Sequence, residues 1–124
     1  MENNSDKSII SAQNIYLVGN PNSGKTSLFN AITGERHHVG NWPGVTVERL
    51  EGVTHTNNGD LHITDLPGTY SLSPATPEEA LVLATIDEAS RGTVLNVVDS
   101  TNMIRNLFLT TQLIELGINP VISL

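Results

Sequence analysis

Gly19-Asn20-Pro21-Asn22-Ser23-Gly24-Lys25-Thr26 sets the architecture of this chain. A glycine, four residues and then Gly-Lys-Thr is the spacing of a phosphate-binding loop. Glycines let such a loop curl until successive backbone N–H groups point inward at phosphate oxygens. A helix starting near Lys25 adds the positive end of its dipole. Lys25 supplies a mobile charge for β- and γ-phosphates, and the Thr26 hydroxyl can ligate Mg²⁺. The flanks agree with this reading. Upstream, Ile15-Tyr16-Leu17-Val18 is a run of β formers that predicts a buried strand. Downstream, Lys25 to Thr33 carries Leu28, Phe29 and Ile32 on one helical face, with Gly34 as its stop.

Further along, residues 35–46 contain Gly40, Pro43 and Gly44 among polar neighbours and read as a long loop, a length usual for functional segments. Val45–Leu50 and Leu61–Thr64 read as strands. Asn57-Asn58-Gly59-Asp60 between them predicts a tight turn and an antiparallel hairpin. Thr76, Pro77 and Glu79 form a capping box that opens a second helix. Val94–Val98 is a fourth strand, and a third helix is expected over 103–116 with Ile104, Leu107, Phe108 and Ile114 as its core face. Pro120–Leu124 begins a fifth strand. Strand and helix alternate after the hairpin, so the fold class is α/β with a mostly parallel sheet.

Composition narrows the field. The chain has 124 residues, 6 Lys and Arg against 13 Asp and Glu, a net charge of −7 and no cysteine. One domain of modest size fits that length. The absence of cysteine excludes disulfides, thiolate metal sites and a cysteine nucleophile. An acidic balance argues against nucleic acid as a partner. The longest apolar run, Ala80–Ala84, is far short of the roughly 20 residues of a spanning helix, so direct membrane insertion by this chain is not expected. Residues 1–13 are polar and without period, and are expected to be a frayed leader.

Ile63-Thr64-Asp65-Leu66-Pro67-Gly68 is an apolar strand running into D-x-x-G. There Asp65 can hold a metal through water while the Gly68 N–H meets a γ-phosphate. Alone the pattern is also a common turn, but behind a phosphate loop it points to the GTPase class. Thr46, at the exit of the long loop, is placed to be a second Mg²⁺-ligating threonine that reports the γ-phosphate. By itself Val45-Thr46-Val47 equally reads as plain strand.

Together, Gly19–Thr26, Val39–Glu48 with its Asn-Trp-Pro-Gly-Val-Thr core, and Asp65-Leu66-Pro67-Gly68-Thr69-Tyr70-Ser71-Leu72 closely resemble the N-terminal G domain of the ferrous iron transport protein B (FeoB) family. Asn96–Asn102 and Arg105-Asn106-Leu107 are similar to that family too, so the resemblance covers roughly residues 14–124. It implies a P-loop, Ras-like G domain that binds guanine nucleotide and hydrolyses GTP. It also implies a place on the cytoplasmic face of the bacterial inner membrane, with the membrane-embedded remainder of an iron transporter as partner. By the same resemblance the nucleotide is held by Gly19, Asn20, Pro21, Asn22, Ser23, Gly24, Lys25, Thr26 and Ser27, by Gly44, Val45, Thr46, Val47 and Glu48, and by Asp65, Leu66, Pro67 and Gly68. Mg²⁺ falls to Thr26, Thr46 and Asp65, and catalysis to Lys25, Asn22, Thr46 and Gly68. Thr69 stands where many small GTPases carry a water-orienting glutamine. The resemblance instead implies a potassium ion held by the Asn22 side chain and the Gly40 and Trp42 carbonyls, stabilising transition-state charge. Asn22 equally reads as a brace for the loop.

The family's Asn-x-x-Asp element, which reads guanine after the fifth strand, is not reached before Leu124. The chain is therefore expected to be a partial G domain. A nucleotide-responsive interaction module without hydrolysis, and a G protein of another bacterial family, share the same loop as alternatives. The four histidines read as solvated surface groups, with His37 and His38 on opposite faces of any strand and His55 and His62 able to face each other across the hairpin.

Overall fold

The computed structural model describes residues 12–34 and 37–124. Strand β1 (Ala12–Gly19) leads into helix α1 (Lys25–Thr33), then strands β2 (His37–Asn41), β3 (Glu48–Thr56) and β4 (Gly59–Asp65). Helix α2 (Pro77–Ala89), strand β5 (Thr93–Val97), a 3₁₀ turn at Ser100–Asn102, helix α3 (Met103–Glu115) and strand β6 (Val121–Ser123) complete the order. The expected leader lies almost wholly outside the described residues; its last two, Ala12 and Gln13, already pair in β1 with Asp60 and Leu61.

One six-stranded sheet runs in the order β2-β3-β4-β1-β5-β6. β4, β1, β5 and β6 are parallel, and β3 is antiparallel to both β2 and β4. The hairpin closes as its turn residues require, with Thr56 opposite Gly59 and the two asparagines between them.

Side-chain alternation divides β1 between two cores. Leu17 packs with Phe29 and Ile63 under α1, where Ile15, Ile32, Leu50, Leu61 and Leu95 join them. Tyr16 and Val18 face the other way, onto Val82, Ile86 and Ala89 of α2 and Leu109 and Leu113 of α3. The sheet is thus covered on both faces, and the carboxyl ends of its parallel strands deliver the loops that follow β1 and β4 to one edge.

Three expectations are corrected. Residues 35–46 are not loop throughout, because His37–Asn41 form the edge strand β2 and find backbone partners on β3. The second strand begins at Glu48, not Val45, and extends to Thr56. Helix α3 is turned over relative to the expected face. Its buried residues are Asn106, Leu109, Thr110 and Leu113, whereas Ile104 is 89% and Phe108 58% exposed. The reason is a polar network beneath the helix. Asn106 Oδ1 accepts the Asp99 N–H at 3.0 Å, Asn106 Nδ2 donates to the Asn102 carbonyl at 2.8 Å, and the Thr110 hydroxyl donates to Asn96. Polar groups buried with partners cost little, so apolar periodicity misreads this helix.

Candidate phosphate-binding site

A cavity of about 630 Å³ opens at the N-terminus of α1, lined by Asn20, Pro21, Asn22, Gly24, Lys25, Thr26, Ser27, Gly68 and Glu78. The loop that builds it is held in left-handed backbone at two positions, Asn22 (φ 67°) and Gly24 (φ 92°). Asparagine is one of the few side chains that tolerate such a φ. Gly24 is the N-cap of α1; its first turn receives no side-chain cap among the described residues and carries no acidic residue. The first N–H groups of α1 and its dipole are therefore left open toward the cavity.

Lys25 lies on the floor, 7% exposed, and donates to Asp65 Oδ1 and, at 2.7 Å, to the Leu66 carbonyl. Burial pushes the Asp65 carboxyl above its ordinary range, while the Lys25 charge and hydrogen bond pull it back only in part. The segment after Asp65 runs tightly along the loop. Leu66 N–H donates to the Leu17 carbonyl and Thr69 N–H to the Gly19 carbonyl, both at 3.0 Å. A Cβ on Gly68 would sit 3.0 Å from Pro21 Cα, so any larger residue would press on the loop at Pro21.

The sequence-derived site residues divide into those the fold brings together and those it does not. Asn20, Pro21, Asn22, Gly24, Lys25, Thr26, Ser27 and Gly68 line the cavity. Asp65 reaches it through Lys25. Gly40, Trp42, Gly44, Val45, Thr46, Val47 and Glu48 are not among its lining residues. Gly40 is paired with Arg49 in the β2–β3 ladder. Trp42 is buried in the core beneath Arg49, whose guanidinium lies 4.4 Å from the ring, and its carbonyl accepts the Val45 N–H at 3.3 Å. Glu78, from the first turn of α2, lines the cavity although sequence reasoning does not single it out. A signal for it exists: the capping box that starts α2 fixes Glu78 one position after Pro77.

The oxygen donors that fit Mg²⁺ at the cavity are the Thr26 hydroxyl and the Asp65 carboxylate, hard ligands of the kind it prefers. The potassium donor set is not assembled, since only Asn22 of the three lines the cavity. His37, His38 and His62 line one cavity over β2–β4, and His55 lies apart from it. His37 meets Phe29 edge-on, with ring centroids 5.6 Å apart, and His55 pairs with Asp60 at 2.6 Å. His62 sits opposite Val53, so His55 and His62 do not face each other. Among the described residues no three His, Asp or Glu side chains are grouped to hold a metal ion.

Comparison with known proteins gives a consistent picture. A family profile described as ferrous iron transport protein B matches residues 13–124. The chain is 52% identical over 111 residues to a Porphyromonas gingivalis protein named as a Fe(2+) transport protein A/Fe(2+) transporter FeoB fusion, covering 89% of this chain and 13% of that one. It is similar to a GDP-bound mutant of the S. thermophilus FeoB G-domain, with 57% identity, a TM-score of 0.83, and coverage of 90% of this chain and 43% of that one. It is also similar to the cytosolic domain of L. pneumophila FeoB, with 43% identity, a TM-score of 0.84, and coverage of 90% and 45%. The chain spans 13% to 15% of the length of the curated relatives it matches.

Proposed function

The chain belongs to the ferrous iron transport protein B family, and on that premise we propose that it is the guanine-nucleotide-binding part of a ferrous iron transporter, cleaving the γ-phosphate of GTP with Mg²⁺. The observation that carries this reading is the convergence of an uncapped helix N-terminus, a buried lysine and a D-x-x-G glycine on one cavity. Relatives that bind GDP or reside in the cytosol, by their descriptions, support it.

In this mechanism the N–H groups at the start of α1 and the Lys25 ammonium bind the phosphates and neutralise charge as it develops on the γ-phosphoryl oxygens. The Thr26 hydroxyl and Asp65 carboxylate would hold Mg²⁺, which when bound would supply further neutralisation of phosphate charge. The Gly68 N–H, fixed against Pro21, meets the γ-phosphate. Thr46 takes part only when the segment 42–47 is drawn over the cavity. Water is the nucleophile, and no side chain at position 69 orients it as a glutamine would. Asn22 by itself offers too few oxygens to replace the hydration of a potassium ion, and the Gly40 and Trp42 carbonyls do not line the cavity beside it.

Calorimetric titration of the chain with GDP and with ADP, in Mg²⁺, tests the reading. GDP should bind; a chain that is folded by circular dichroism and binds neither nucleotide overturns it. Single-turnover release of phosphate from GTP then separates hydrolysis from binding alone.

A further inference from the structure

Between Gly68 and Pro77 the chain forms no helix or strand, yet it is tied down at defined points. Thr69 bonds to the end of β1 through the Gly19 carbonyl. The next attachments come from α2, where Glu79 Oε2 accepts the Ser71 hydroxyl at 2.5 Å, and from α3. The Arg105 guanidinium lies 4.0 Å from the centre of the Tyr70 ring. Gln112 Oε1 accepts the Leu72 N–H at 2.8 Å, and the Leu72 side chain is buried. Residues seven apart sit two turns apart on one face of a helix, so α3 presents Arg105 and Gln112 as a pair toward this segment.

The phosphate loop itself has little grip on α3. Asn20 is only 3% exposed, but neither atom of its side-chain amide has a hydrogen-bond partner among the described residues. A cavity of about 130 Å³, lined in part by Asn20, Tyr70 and Arg105, separates the two elements. One connection from α3, through Thr110 and Asn96 to the Val18 carbonyl, ends on the strand before the loop. The one that reaches the D-x-x-G side runs through Tyr70 and on to Gly68, which rests on Pro21.

We propose that Arg105 is a positioning residue for the γ-phosphate response: from α3 it holds Tyr70, and thereby the Gly68 N–H, in place on the phosphate loop. This rests on the nucleotide reading above. GDP has no γ-phosphate for Gly68 to meet, so the contact matters for GTP and not for GDP. Tyr70 is 41% exposed, and a cation–π contact at such a site is modest, which sets the expected effect at about two- to fivefold.

The test compares affinities of the chain for GTPγS and GDP. Arg105→Ala should weaken GTPγS about two- to fivefold and leave GDP unchanged. Tyr70→Ala should do the same, the double variant should be no weaker than either single one, and Arg105→Lys and Tyr70→Phe should retain most of the affinity. Equal losses for both nucleotides, or no loss for either, would overturn the assignment. A flat ratio in a chain whose unaltered form binds GDP refutes the role of Arg105 alone. Failure of the unaltered chain to bind either nucleotide instead removes the nucleotide reading, and this inference with it.

Discussion

Helices α1 and α2 begin in opposite ways. Helix α2 is finished within its own sequence. The Thr76 hydroxyl accepts the Glu79 N–H at 3.1 Å, Pro77 fills a position that needs no donor, and Glu78 and Glu79 lie against the positive end of the dipole. Helix α1 has none of these among the described residues: its cap is a left-handed glycine, no side chain bonds to its first turn, and no acid lies there. Two helices of one small domain thus separate the structural solution from the functional one. Where the protein satisfies a helix terminus it makes a stable joint, and where it leaves one open it makes an anion site.

Removing the cation beside the open terminus should have the largest effect. Lys25→Ala leaves Asp65 buried without its partner, a change that costs about 3–5 kcal/mol. Urea unfolding should show that loss, and GDP affinity should fall about tenfold to a hundredfold. An unchanged affinity would mean that the open helix end acts without its lysine. Next comes the glycine cap. Nothing lies within 4 Å of a Cβ built on Gly24, so Gly24→Ala pays for its φ of 92° and not for a clash. A loss of about 1–2 kcal/mol is expected by chemical denaturation, together with weaker GDP binding as the loop deforms.

The satisfied terminus should respond differently. Thr76→Ala should cost about 1 kcal/mol of stability and leave nucleotide affinity alone. A variant that lost stability and affinity together would show that the two helix ends are coupled through Glu78. The smallest effect is on pH dependence. The Asp65 carboxyl is raised above 3.8 in the folded chain, so the folded state holds that proton more tightly than the unfolded one. The resulting stabilisation is complete below about 3.8 and is lost as pH rises through the raised value. Unfolding free energy measured across that range should fall with rising pH, and Asp65→Asn should flatten the slope.

Local signals carried much of the fold. The phosphate loop, the helix Lys25–Thr33, the Asn57-Asn58 turn and the Thr76 N-cap lie where the residues put them, because each is settled by groups within a few positions of one another. The errors share a different cause. β2 exists because β3 offers it a ladder of hydrogen bonds, which no feature of His37–Asn41 announces. The exposed apolar face of α3 arises because Asn106 and Thr110 find partners on Asp99, Asn102 and Asn96. Trp42 belongs to the core with the Arg49 guanidinium over its ring, and neither it nor Gly40 lines the cavity where the resemblance puts their carbonyls.

Eight consecutive residues suffice to specify a phosphate-binding loop between a strand and a helix, since they supply the glycines, the lysine and the hydroxyl that such a site requires. Which distant residues share the site was left to the packed fold. It placed Gly68 on Pro21, Asp65 against Lys25 and Glu78 at the rim, and it left residues 44–48 away from the cavity. The difference is one of range. Backbone conformation and capping are fixed by neighbours along the chain, whereas the meeting of residues forty apart depends on how β1 and β4 register in the sheet and on which polar groups find partners across it.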